Sequence, residues 1–171
     1  MTPKIIIMYG RRRSYRKIPR GPRTKYSLEN FYFLGSTSNI QTDPAIVSNS
    51  NDYQSVQTII PATTVEGMRK VKNLTITVEV ATADKTARYA IVYVPYATNV
   101  NYLCLLAYPN KLYEPSQFVM AQGMIDQDMG PNRIRSSVSR NLNEGDQIVF
   151  LIATDDTTSF KIAGQYSVAY N

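Results

Sequence analysis

Arginine is the side chain best suited to phosphate, because its planar fork donates two parallel hydrogen bonds where lysine offers a point charge. Between Gly10 and Lys25 the chain places Arg11, Arg12, Arg13, Arg16, Arg20 and Arg23, together with Lys17 and Lys25, and no acid. Tyr9, Tyr15 and Tyr26 interleave with this charge and have the flat faces that stack on unpaired bases. The chemistry is that of a polyanion grip. It is unspecific for base sequence, and each neutralised phosphate adds to its salt dependence. Nuclear import machinery can read the same run.

The charge is unevenly held. The net charge is +6, yet residues 1–25 carry nine Lys or Arg and no acid, which leaves ten basic groups against all thirteen acids in residues 26–171. A strongly cationic leader on a mildly acidic body is the asymmetry of a tail that meets a polyanion. Two smaller clusters, Arg69, Lys70 and Lys72, and then Arg133, Arg135 and Arg140, are candidates to extend the phosphate-binding surface. A solvated sheet face is the plainer reading of both.

Other chemistry finds little support. Histidine is absent and Cys104 is the only cysteine, so the usual general base, intrachain disulfides and Cys-based metal sites are excluded. Asp126 with Asp128, and Asp155 with Asp156, read as solvated turn acids. There is no glycine-rich phosphate loop, and the NLT at 73–75 lies inside an expected strand. We expect no enzyme, no catalytic or metal-binding residues and no cofactor. No segment approaches the ~20 apolar residues that cross a bilayer, and the single cysteine suits a reducing compartment. Thirteen tyrosines without a tryptophan suggest protein–protein contact surfaces.

The elements behind the leader are strands. Pro3, Pro19 and Pro22 argue against a long helix in the leader, which is expected as an extended arm over residues 1–25. Strands are expected around Phe31–Leu34 and over 53–62, 70–82, 88–98, 101–109, 117–126, 133–140, 147–154 and 160–171, with a polar loop at 36–54. In 70–82, alternation sets Leu74, Ile76, Val78 and Val80 on the core face, with Lys72 at its edge. In 133–140 it sets Ile134, Ser136, Val138 and Arg140 on one face and Arg133 with Arg135 on the other. About eight strands and no helix must pair as a sandwich or barrel to bury their apolar faces. A jelly roll is favoured for residues 26–171. An OB-type single-strand-binding barrel with a basic tail is the alternative.

Three stretches, GRRRSYRKIPRGPR (10–23), GMRKVKNLTITVEV (67–80) and the ending RIRSSVSRNLNEGDQIVFLIATDD with FKIAGQYSVAYN, resemble capsid proteins of small circular single-stranded DNA viruses of the circovirus and nanovirus kind. The resemblance covers the whole chain in layout. It implies an all-β shell domain, a single jelly-roll sandwich of two four-stranded antiparallel sheets. It also implies a closed T=1 icosahedral homo-oligomer of sixty copies. Arg11, Arg12, Arg13, Tyr15, Arg16, Lys17, Arg20, Arg23 and Lys25 would then take the arm's role, binding a single-stranded DNA genome inside the virion. The arm would also engage a host import receptor, with assembly in the nucleus. Unlike the family's arms, this one is preceded by the apolar KIIIM of residues 4–8.

Overall fold

The computed structural model describes residues 25–39, 53–64, 66–81, 86–98, 118–126 and 130–170. The arm through residue 24, the strand expected over 101–109 and most of the 36–54 loop lie outside them. The described residues form ten strands and no α-helix. They are β1 (Ser27–Ser36), β2 (Ser38–Asn39), β3 (Tyr53–Ile60), β4 (Arg69–Val80), β5 (Ala87–Val94), β6 (Val119–Ile125), β7 (Asn132–Ser136), β8 (Arg140–Leu142), β9 (Gln147–Thr154) and β10 (Ser159–Tyr170).

Every pairing is antiparallel. Sheet I runs β1-β10-β4-β7, with β8 pairing a further stretch of β4, so β7 and β8 are two pieces of one edge. Sheet II runs β2-β3-β9-β5-β6, with β2 a two-residue addition to its edge. Without that addition each sheet is four strands wide. Six of the nine connections carry the chain from one sheet to the other, only β2–β3, β5–β6 and β7–β8 staying within a sheet, which is the winding of a jelly roll. A five-stranded OB barrel does not have this order.

Alternating side chains from both sheets fill the space between them. Ile76, Ile162, Ile148, Phe150 and Ile152 are fully buried there. Each such side chain contributes roughly 1.5–3 kcal/mol by leaving water. Sheet II is buried on its other side as well, where Ala90, Val92, Val94, Val149 and Leu151 form a second cluster. Burial on both faces explains why β9, QIVFLIAT, is apolar throughout and does not alternate.

Two expectations need correction. In β4 the core face changes parity. Val71 is buried and Lys72 points out, whereas Leu74, Ile76 and Val78 are buried beyond Asn73. Asn73 has φ 56°, and the pairing with β10 slips there, with three steps of β4 set against two of β10 between the Thr75–Gln165 and Lys72–Ser167 pairs. This is a β-bulge, which inserts one residue and reverses every side chain past it; asparagine is among the few residues that take the left-handed conformation readily. The second correction concerns 133–140, which is broken at 137–139. The Val138 amide donates to Ser136 Oγ (3.3 Å), and Val138 is exposed, not aligned with Ile134 and Ser136.

Polar knots join the sheets at both ends. Where β1 passes to β2, Thr37 N donates to Thr158 O (2.9 Å), Thr158 N donates back to Thr37 Oγ1 (2.9 Å), and Thr154 Oγ1 lies 2.9 Å from the same hydroxyl. At the other end buried Asp146 accepts from Tyr93 Oη (2.8 Å), Asn143 N (2.8 Å) and Tyr96 N (3.0 Å).

Candidate nucleic-acid interface

The outer face of sheet I is the wet face. Register fixes who stands beside whom: Tyr32, Ala163, Thr77 and Arg133 form one row across the four strands, and Asn30, Gln165, Thr75 and Arg135 form the next. Leu28, Ser167 and Lys72 follow, and then Ala169 with Lys70. Arg133 and Arg135 are exposed. Among the described residues the only acid on this face is Glu79, which meets Lys161 at 3.4 Å at the far end. Both partners are about half exposed, so that pair adds little stability. It does neutralise the acid locally, and Arg133, Arg135, Lys72 and Lys70 remain as a row of positive charge.

The root of the arm stands at the same corner. Lys25 and Tyr26 directly precede β1, and Lys72 Nζ sits 3.4 Å from the centroid of the Tyr26 ring. A cation over the face of a phenol ring is an electrostatic attraction. Here it pins the first residues of the body beside the outward lysines of β4. Arg11, Arg12, Arg13, Tyr15, Arg16, Lys17, Arg20 and Arg23 lie outside the described residues.

The six candidate cations of the body divide between the two faces of sheet I. Lys70, Lys72, Arg133 and Arg135 lie on the outer face. Arg69 and Arg140 do not join them, because their register partners, Leu142 and Val71, are core residues and they share that inward side. Arg69 is buried, and its Nη2 donates to Pro61 O (3.0 Å) and Asp146 O (3.2 Å). The Arg140 guanidinium lies 5.6 Å from the Tyr93 ring centroid. Burial, then the hydrogen bond to Asp146 and the charge of that carboxylate, push the Tyr93 phenol up to about 12, while Arg140 opposes the shift. Arg69 and Arg140 therefore belong to the Asp146 knot.

A shallow hollow of about 340 Å³ lies on the outer face, lined by Thr75, Thr77, Arg133, Ala163, Gly164 and Gln165. Its floor depends on small residues in mid-row. Gly164 is required for a further reason: a Cβ there would stand 2.4 Å from the Phe31 ring and 2.5 Å from Thr75 O. Sequence reasoning missed Tyr32, Gln165 and the two threonines, since none carries charge or belongs to a motif. Tyr32 is 60% exposed, and only the β1–β10 register brings it beside the hollow. Among the described residues there is no group of three or more His, Cys, Asp or Glu that would suit a metal ion.

No family model matches the chain, and no curated protein matches it. Among solved structures it is similar to a nodavirus of the giant freshwater prawn Macrobrachium rosenbergii, in a semi-empty virus-like particle (11% identity, TM-score 0.42, covering 100% of this chain and 95% of that one). It is also similar to the empty head of turnip yellow mosaic virus (11%, TM-score 0.39, 98% and 90%) and to desmodium yellow mottle tymovirus (10%, TM-score 0.37, 93% and 95%).

Proposed function

We propose that this chain is the coat subunit of a small icosahedral virus. The jelly-roll body associates with copies of itself into a closed shell, and residues 1–25 bind the packaged genome. The observation that carries this reading is the placement of charge. A leader of nine cations is rooted, through Lys25 and Tyr26, on the one face of the sandwich that also presents Lys70, Lys72, Arg133 and Arg135. Arm and face then act on the same side of the subunit, and that side is the interior of the shell. The resemblance noted in the sequence supports the finer terms: a single-stranded DNA genome, sixty subunits, and nuclear import through the arginine run. The role is structural, with no reaction catalysed.

Shell stability in this reading comes from many modest contacts closed by symmetry. Nucleic acid relieves the repulsion among the arms. The test is to express the full chain and size what forms by electron microscopy and light scattering. A uniform particle of about sixty subunits containing nucleic acid is the expected result. A chain that stays monomeric at every salt concentration overturns the proposal. Removal of residues 1–25 is expected to leave the β-sheet signature by circular dichroism unchanged and to cut sharply the nucleic acid that co-purifies.

A further inference from the structure

The outer face of sheet I has more than charge. The row Tyr32–Ala163–Thr77–Arg133 reads large, small, small, large across four strands. Short side chains in the middle leave the hollow, with an arginine on one side and an exposed aromatic ring on the other. Thr75, Thr77 and Gln165 line the floor with groups that both donate and accept hydrogen bonds. Positive charge alone would suit any polyanion. A ring and a set of two-way hydrogen-bonding groups facing that charge suit a ligand that carries phosphates on one edge and flat heterocycles on the other.

The spacing agrees. Arg133 and Arg135 are two residues apart on one strand, and so about 6.8 Å apart at their Cα atoms. That is comparable to the step between successive phosphates along an extended polynucleotide. β7 and β1 lie three strand spacings apart, roughly 14 Å. Tyr32 stands in the same cross-strand row as Arg133, beside Ala163 at the edge of the hollow. A duplex turns its bases inward and offers only phosphates to such a face. An unpaired strand offers both edges.

We propose that this trough, resting on the genome-binding reading above, is a binding track for single-stranded nucleic acid: phosphates lie on Arg133 and Arg135, and a base stacks on Tyr32 over the floor of Ala163 and Gln165. The track discriminates unpaired from paired strands. Stacking is tolerant of base identity, so the track holds any sequence.

The test uses the full-length chain, with a short oligothymidylate carrying 5-iodouracil added before assembly. Irradiation followed by peptide mass spectrometry is expected to place an adduct on Tyr32. Tyr32→Leu removes that adduct and weakens binding of the single strand roughly 5- to 100-fold, while a duplex of equal length binds as to the parent. Replacing Arg133 and Arg135 together by Gln lowers the slope of log affinity against log salt by about 1.4, the share of two single-strand phosphates. Unchanged urea midpoints confirm that these exposed substitutions leave the body folded. Adducts confined to Tyr9, Tyr15 or Tyr26, with Tyr32→Leu binding as the parent does, overturn the track and leave the arm's role standing. A parent chain that binds no nucleic acid overturns both.

Discussion

Sheets I and II share an interior, yet their other faces follow opposite rules. On β9 the outward Val149 and Leu151 are as buried as the inward Phe150 and Ile152. On β4 and β10 the outward positions past the bulge are Thr75, Thr77, Glu79, Lys161, Ala163 and Gln165, all polar or small. One sheet is therefore a layer of the core and the other a wall with a wet side. The wet side is where a ligand can be met without dismantling the fold. It is also where substitution is inexpensive, because a solvated side chain loses little when shortened.

That contrast is open to direct measurement. Leu151→Ala, on the outward side of sheet II, is expected to lower the unfolding free energy in urea by about 2–5 kcal/mol. Thr77→Ala, on the outward side of sheet I, is expected to change it by less than about 0.5 kcal/mol. Equal losses would mean that both sheets are covered and that the face of Arg133 is no free surface. Asp146→Ala tests the knot that takes Arg69 and Arg140 out of that face. It strips the acceptor from Tyr93 Oη, Tyr96 N and Asn143 N, and a loss on the order of 3 kcal/mol is expected by thermal or urea unfolding.

Smaller effects refine the picture of the same knot. Gly145 sits at φ 79°, and a Cβ on it would stand 2.1 Å from Tyr96 Cδ2. Tyr96 Cγ and Cβ stand within about 3.1 Å of that added Cβ as well, so the base of the side chain must shift, and Gly145→Ala should cost its backbone strain of about 1–2 kcal/mol plus that displacement in the unfolding transition. Tyr93→Phe should cost about 1 kcal/mol at neutral pH, the net value of a hydrogen bond. Its pH signature is the more telling. The folded phenol titrates at about 12 against 10.0 for a free one. Its contribution is complete below pH 10, declines as pH climbs through that window and is gone above 12. The phenylalanine variant should lack this part of the alkaline decline in an unfolding series from pH 9 to 12, and an identical decline would remove Tyr93 from the account.

Much of the architecture was legible in the chain itself. Strand positions followed from runs of Val, Ile, Thr and Tyr punctuated by turn residues, and β3, β5, β9 and β10 begin within a residue or so of the expected points. Leu74, Ile76 and Val78 were placed correctly, because alternation holds wherever a strand is regular. What failed was non-local. Nothing in VKNLT announces that the pairing slips at Asn73, since the slip is defined only against β10. Nothing in RIRSSVSR shows that 137–139 leave the sheet. The site shows the same division. Arg133 and Arg135 were visible as an alternating pair of cations, while Tyr32 stands 101 positions earlier in the chain and meets their row only through β10 and β4.

Composition and periodicity alone determined an all-strand body, a cationic leader and the absence of histidine chemistry, because these depend on residue type and near neighbours along the chain. The tertiary structure decided which cations share a face and which are consumed in the core, and it decided that one sheet has a wet side. Those outcomes rest on register. A single inserted residue at Asn73 reverses every side chain beyond it, turning Lys72 outward and Arg69 inward, and only the partner strand determines where that residue is inserted.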